Sequence, residues 1–290
     1  MKSTDGAIAL GAAGIVLLCA MDAVAKALGA NLTTFQVVFV RCLGAAIWLA
    51  LWIVLTRGDW PRRENLRRHL LRAIMLVVTA TLFFYAIARL PLAVVAALGM
   101  TAPVYVTVLG AIIFKEHVGA GPWIALGLGA AGSAVIIFAG SPVDLAGATD
   151  TLAWIAAVLA PLSYAITLVI LKHHSSNEGA AAMTLAQTLF AAIIISPLAF
   201  GPVSIPDAMV WGQIALIGFF GAVGFLVLIN GLKRMPVSVF AVLDYTGLIW
   251  AGLFGFLFFG EIPGPQLWVG GALIVAACII TARSPRARPA

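Results

Sequence analysis

Apolar residues run through this chain in long, nearly unbroken stretches, and polar residues collect in the short gaps between them. Ten apolar segments are delimited in this way: 6–28, 34–56, 69–88, 92–114, 121–140, 149–171, 179–200, 207–232, 236–259 and 264–282. Most are close to the roughly 20 residues that a helix needs to cross a bilayer. Two of the divisions rest on local punctuation. Arg89-Leu90-Pro91 and Lys233-Arg234-Met235-Pro236 interrupt otherwise continuous hydrophobic sequence. A charge followed by proline stops one helix and starts the next, because proline lacks an N–H and fits the first turn, where none is needed.

Composition agrees with a chain that lives in a membrane. Of its 290 residues, 63% are hydrophobic and 10% are charged, against about 45–50% and about 25% in soluble domains; the mean hydropathy is +1.10. Ten helices of about 20 residues each leave only short loops and tails, with no soluble domain of ordinary size. The first apolar run is long enough to span and reads as the first crossing rather than as a cleaved signal. The net charge of +6 would suggest nucleic acid in a soluble protein. Here it sorts by side. Lys2, Arg57, Arg62, Arg63, Arg67, Arg68, Arg72, Lys115, Lys172, Lys233, Arg234, Arg283, Arg286 and Arg288 fall on the side that holds both termini, and Arg89 alone falls on the other. Basic residues accumulate in cytoplasmic loops, so both termini are expected in the cytoplasm, with the protein in a bacterial inner membrane. Cys19, Cys42 and Cys278 lie inside apolar runs at no ligand or disulfide spacing and read as small packing residues.

The chain repeats itself at an offset of 145 residues. Residues 89–123 align without a gap on 234–268, with eleven identities that include Arg89 with Arg234, Pro91 with Pro236, Thr101 with Thr246, Glu116 with Glu261 and Trp123 with Trp268. Apolar composition alone does not align arginine, proline, glutamate and tryptophan together. Each half holds five spans, an odd number, so the second half enters the membrane from the opposite side. Inverted repeats of this kind are typical of secondary transporters, with the substrate near the midplane between the halves. The expected architecture is all-α: ten transmembrane helices as two inverted five-helix repeats, 6–140 and 149–282, around a central cavity, followed by a short basic tail, 283–290.

These features resemble the drug/metabolite transporter superfamily, and within it the EamA type. The residues that carry the resemblance are Pro103, Phe114, Lys115, Glu116 and the stretch Gly127-Leu128-Gly129-Ala130-Ala131-Gly132 in the first half. In the second half they are Phe259, Gly260, Glu261, Gln266, Gly270 and Gly271. The match extends from about residue 6 to 282. The resemblance implies a basket-like helical bundle that transports small metabolites, often by efflux of amino acids or their relatives. The chain is similar to bacterial exporters of aromatic and other amino acids. It departs from the pattern at Leu248, which aligns with Pro103; without a helix-bending proline there, the halves are not expected to open symmetrically.

Charges within a bilayer are costly and point to function. Asp22 and Lys26 share one face of the first span, and Arg41 lies in the second. At 1.5 Å per residue, Asp22 and Arg41 sit about 9 and 10 Å from the outer ends of their helices, so they can meet at one level. The group reads either as a structural ion pair, with Lys26 reaching outward, or as an outer gate or substrate contact. Asp244 lies about 12 Å into the ninth span, near the midplane, with no opposite charge close in sequence. It is a candidate to carry a proton or to meet a substrate amino group; otherwise it is a carboxyl hydrogen-bonded to a neighbouring helix. Tyr85, Tyr105, Tyr164, Tyr245 and Trp250 combine apolar rings with a polar edge, which suits a cavity wall. Pro103 and Pro161 interrupt the backbone ladders of the fourth and sixth spans, where transporters bend, although static kinks look the same in sequence. Gln36, Gln187, Asn230, Ser163 and Thr167 face a cavity or join helices. Gly127, Gly129 and Gly132 read as close-packing positions, since no strand precedes them and no Gly-Lys-Ser follows.

Other classes fit less well. His69, His117, His173 and His174 sit at segment edges or in loops, with no metalloprotease, esterase or haem motif, so no enzyme activity, metal or cofactor is expected. A channel would build its pore from an oligomer with polar rings, whereas two inverted halves make a self-contained carrier. Anionic cargo such as nucleotide-sugars or phosphorylated metabolites needs several buried cations, and only Lys26 and Arg41 lie within spans. The expected partners are therefore a small-molecule substrate, zwitterionic or neutral, and the lipid bilayer. The expected state is a monomer or weak homo-oligomer that moves its cargo by rocking of the two halves. A carrier of another metabolite class and a non-transporting scaffold are the remaining alternatives.

Overall fold

In water-free hydrocarbon every backbone N–H and C=O must be satisfied within its own segment, and a helix does this with local bonds alone. The computed structural model describes residues 2–87, 98–99, 101–114, 119–138, 151–174, 179–200, 207–259 and 265–283. Among them every regular element is helical: α1 Lys2–Leu28, α2 Thr34–Thr56, α3 Leu66–Ile87, α4 Ala102–Phe114, α5 Ala120–Phe138, α6 Thr151–His174, α7 Ala180–Ala199, α8 Ala208–Leu232, α9 Val237–Asp244, α10 Thr246–Phe259 and α11 Pro265–Arg283, with a 3₁₀ turn at Arg63–Asn65 before α3. Seven helical stretches are long and apolar enough to cross a membrane, the run Val239–Phe258 through α9 and α10 among them. The Arg89-Leu90-Pro91 punctuation, Glu116, Glu261 and the basic tail lie outside the described residues.

Helix ends follow local chemistry. Thr33 caps α2 through a reciprocal pair: the Gln36 N–H donates to Thr33 Oγ1 at 3.4 Å, and the Thr33 N–H donates to Gln36 Oε1 at 2.9 Å. Gln36 is thus a capping residue rather than part of a cavity wall. α2 stops where Arg57 turns left-handed, with φ at 52°, and the Gly58 N–H then returns to the Ile53 carbonyl at 2.9 Å. Asp207 caps α8 by accepting the Val210 N–H at 2.8 Å.

Packing joins the two sequence halves instead of separating them. Among the described residues the broadest helix contacts are α1 on α8, α5 on α11, α2 on α7, α3 on α6 and α2 on α8, each pairing a first-half helix with a second-half one. Among the described residues neither half builds a core of its own, so rocking of two compact sequence halves is not the motion this packing favours. Partners also recur under exchange of the halves: α1 on α8 corresponds to α3 on α6, and α2 on α8 to α3 on α7.

These crossings depend on glycine. A Cβ on Gly14 would come within 2.8 Å of the Leu228 backbone, one on Gly231 within 2.7 Å of the Gly11 nitrogen, and one on Gly44 within 2.9 Å of the Gly218 Cα. Lipid tails are as apolar as side chains, so helices in a bilayer associate through such close van der Waals packing. Gly129 and Gly132 behave as expected: the Tyr245 ring covers the first, and the Gly270 carbonyl lies 2.6 Å from a Cβ on the second. Gly127 has nothing within 4 Å and is not a packing position.

Two spans are interrupted at related places. Leu98 and Gly99 are helical, Thr101 forms a turn, and α4 begins at Ala102. Here the Thr101 hydroxyl donates to the Leu98 carbonyl at 2.6 Å. In the second half a turn at Tyr245 separates α9 from α10, and the Thr246 hydroxyl donates to the Leu243 carbonyl at 2.7 Å. Thr101 and Leu98 are the repeat mates of Thr246 and Leu243. Pro103 supplies no N–H to the first interruption, yet the second forms with Leu248 in its place, so the break does not depend on the proline. α6 continues as one helix through Pro161.

Substitution of Gly14 by valine should lower stability by about 1–3 kcal/mol, the usual cost of forcing extra atoms into a packed contact. Gly127→Ala should be nearly neutral. Thermal melting of the detergent-solubilised protein measures both, and equal losses would contradict the assigned contacts.

Candidate functional site

The crossing of α1 over α8 sets which face of α1 looks into the bundle. Leu18 lies against Gly224, and one residue further on Cys19 directs its Sγ to the Gly247 carbonyl of α10 at 3.5 Å. Asp22 is about one turn beyond and shares that face. Across from it, Tyr164 of α6 donates a hydrogen bond to Asp244 Oδ1 at 3.2 Å. Asp244 is the last residue of α9, immediately before the interruption.

These groups form one electrostatic cluster. The charge of Arg41 on α2 reaches Asp22. The charges of Asp22 and Asp244 both reach Cys19 and Tyr164. Arg41 is half-buried, with its guanidinium 5.8 Å from the centre of the Phe225 ring of α8, a cation–π distance. Asp22 is exposed even though Arg41 of α2 and Tyr164 of α6 lie within its electrostatic reach. Its carboxylate is therefore not sealed in the packed interior. Lys26, one turn along α1, is exposed as well.

The remaining sequence candidates separate into distinct places. Trp250 is half-buried on α10, its ring 6.3 Å from that of Phe254. Pro161 is buried on α6 about one turn from Tyr164. Tyr245 takes no part in the Tyr164–Asp244 bond, although the Asp244 charge reaches it. It is fully buried, its ring lies on Gly129 of α5, and its hydroxyl has no hydrogen-bond partner among the described residues. Tyr105 packs at the margin of the main core. Pro103 is buried in the first turn of α4, where its carbonyl accepts the Thr107 hydroxyl at 2.9 Å. Tyr85 belongs to a separate patch with Trp154, Ala153, Ala156 and Ala157. Ser163 and Thr167 join helices: both meet the Thr79 hydroxyl of α3, at 2.7 and 3.2 Å. Asn230 donates back to the Leu226 carbonyl of its own helix.

Three features were not legible as site or core. Cys19 is more than filler, since its thiol meets the Gly247 carbonyl and lies within electrostatic reach of both carboxylates; its three-residue spacing from Asp22 was the available signal. His69, in the first turn of α3, and Arg72 are not solvated flank residues: each is 1% exposed, with Arg72 Nη2 2.5 Å from His69 Nδ1. Lys172, counted only as a basic flank, makes contacts described below. No group of three or more His, Cys, Asp or Glu side chains that could hold a metal ion occurs among the described residues.

The Tyr164–Asp244 bond should appear as energetic coupling. Tyr164→Phe should cost about 1.5–3 kcal/mol, the range for a hydrogen bond to a charged group. Combined with Asp244→Asn it should fall short of the sum by at least about 0.5 kcal/mol. Denaturation of the four proteins measures this, and strict additivity would show that the two side chains do not interact.

The arrangement is similar to known carriers over almost its whole length. The chain is 27% identical over 271 residues to the pseudopaline exporter of Pseudomonas aeruginosa, covering 92% of each protein. It is 20% identical over 267 residues to an S-adenosylmethionine uptake transporter of Rickettsia bellii, covering 91% of this chain and 89% of that one. Neither relative is named as an amino-acid exporter, so the resemblance to that branch is not carried by these similarities. A solved crystal structure shares the fold, with a TM-score of 0.80 at 18% identity, over 95% of this chain and 96% of the other. The sequence profile of the EamA-like transporter family matches twice, over residues 6–138 and 151–283. A multi-pass helical chain with charged groups gathered between its helices, matched by that profile in both halves, belongs to the EamA-like transporter family and is a membrane transporter.

Proposed function

We propose that this transporter carries small metabolites that bear a protonated amine, amino acids and compounds built from them, out of the cell across the bacterial inner membrane. The observation that carries the reading is the balance of charge in the cluster. Arg41 lies within reach of Asp22 and offsets it, whereas Asp244 is held by the Tyr164 hydroxyl. A hydroxyl donor leaves the negative charge of a carboxylate in place, and a cation in low dielectric is its natural partner. An anionic sugar phosphate would meet two carboxylates and gains less from the same site.

The mechanism in this reading is alternating access through two inverted halves of five spans each, ten in all, with both termini in the cytoplasm. The repeat at offset 145, the recurrence of packing partners under exchange of the halves and the paired interruptions at Thr101 and Tyr245 support it. Because the helices interleave, the moving parts are individual helices and half-helices, with discontinuous spans at the site. Asp244 stands next to one such interruption, so cargo bound there acts directly on the hinge. One of the two relatives is an exporter and the other an uptake transporter, and the outward direction is taken from the first, which has the higher identity.

Protein reconstituted into liposomes should move at least one member of a panel of labelled amino acids and small peptides, faster under an opposed pH gradient than under a matched one. Asp244→Asn should cut that flux by roughly tenfold or more, as loss of one partner of a buried charge pair does. Tyr164→Phe should cut it less. Absence of flux across the panel, with protein that elutes and melts as folded, would discard the amine-bearing cargo.

A further inference from the structure

The ends of the bundle differ in how they are packed. At one end Leu168 and Leu171 of α6, Leu232 of α8, Met235 of the following turn, and Val237, Phe240 and Ala241 of α9 are all buried in one apolar cluster with Ala7 of α1. On the other side of the charged cluster Asp22 and Lys26 are exposed. Side chains are thus exposed on the Asp22 side of the cluster and packed on the Lys172 side, the difference expected of a carrier open on the first side.

Within the filled end lies a cation that packing alone does not require. Lys172, on the last turn of α6, donates from Nζ to the Met235 carbonyl at 3.0 Å. The same ammonium lies 5.2 Å from the centre of the Phe114 ring at the end of α4. That ring is also 6.1 Å from the ring of His173, the next residue of α6. Met235 is itself seated on α1, since a Cβ at Gly11 would come within 2.8 Å of its Cε. One side chain thus joins α6, the turn between α8 and α9, and α4, and through Met235 it fixes α1. Phe114 and Gly11 belong to the first sequence half; Lys172 and Met235 belong to the second. A charge-assisted bond to a backbone carbonyl and a cation–π contact are directional and short in range. The first is lost if the α8–α9 turn moves away by a few ångströms and the second if α4 does, and opening of this end demands such movement.

We propose that Lys172 is the latch of the cytoplasmic gate: its contacts with the Met235 carbonyl and the Phe114 ring stabilise the state in which the site is closed to the cytoplasm and open to the outside. The inference rests on the carrier reading above and on the side assigned by the basic loops. A ligand or contact shifts a two-state equilibrium only by its differential interaction with the two states, and these contacts exist in one of them. Removing them therefore raises the inward-open population without touching the cargo site.

The test reads access without cargo. In a chain with Cys19, Cys42 and Cys278 replaced, Asp22→Cys supplies a single thiol at the exposed position, and a membrane-impermeant cationic methanethiosulfonate probes it in right-side-out and inside-out vesicles. The parent should be labelled readily from outside and slowly from inside. Lys172→Gln should raise the inside rate by roughly five- to tenfold, the shift that follows when one charge-assisted contact is lost from one state only. Phe114→Leu should move the rate in the same direction by less. Lys172→Arg, which keeps both a donor and a stacking cation, should return it to the parent value. An unchanged inside rate in Lys172→Gln, with outside labelling retained as proof of fold, overturns the latch. A parent thiol that reacts from the inside faster than from the outside overturns the assigned side, and the latch with it. Because no cargo is present, a failed latch leaves liposome flux as an independent measure of carriage.

Discussion

Backbones that nearly touch where α1 crosses α8 are the constraint on which the rest of the structure hangs. In hydrocarbon there is little hydrophobic gain in helix association, so contact must come from close packing. Gly11, Gly14 and Gly231 let the two main chains meet with almost nothing between them. That fixes the rotation of α1 about its own axis. The face carrying Cys19 and Asp22 then looks toward α10, α6 and α2 instead of toward lipid. A bulkier residue at Gly14 would turn or displace the helix and take both side chains out of the cluster.

The second organising feature is that polar groups inside the bundle are held by neighbours on other helices. Thr79 meets Ser163 and Thr167 between α3 and α6. Tyr164 meets Asp244, and Lys172 meets the Met235 carbonyl. Unsatisfied groups in a low-dielectric interior are expensive, so these pairs both position helices and sense their movement. One threonine-stapled interruption lies immediately before α4 and the other between α9 and α10, next to Asp244. Helix breaks are tolerated at membrane depth where protein or a cavity satisfies the freed backbone. Here a threonine hydroxyl takes up a carbonyl at each break. The interleaving of the two halves makes these breaks, and not a seam between domains, the natural places for movement.

The pattern of apolar runs is enough to locate the helices, because in a bilayer nothing but a helix satisfies a lone segment. The observed bounds of α2, Thr34–Thr56, coincide with the run 34–56, and α8, Ala208–Leu232, begins one residue inside its run. The interruption at Tyr245 was not legible, since no proline or glycine marks it; it follows from how α9 and α10 pack on α4, α5 and α1. The charges Asp22, Arg41 and Asp244 stood out in sequence because each is costly in hydrocarbon. Tyr164 could be named only as one aromatic among several, and its role as the donor to Asp244 rests on 80 residues of intervening chain being folded back.

Hydropathy, a one-dimensional property, determined by itself that this chain is a helical membrane protein with charges inside its apolar runs. Which of those charges meet, and what else meets them, was decided by the tertiary structure alone. Tyr85 and Tyr245 looked like Tyr164 in sequence, yet one lies in a separate alanine-lined patch and the other is sealed on Gly129. Cys19 and Lys172 looked like packing and loop residues, yet one lies within electrostatic reach of two carboxylates and the other ties three elements together. The physical reason is that the rotation of each helix about its axis is set by close contacts far away in sequence, and a change of one residue in that rotation, about 100°, exchanges a side chain facing the cavity for one facing lipid.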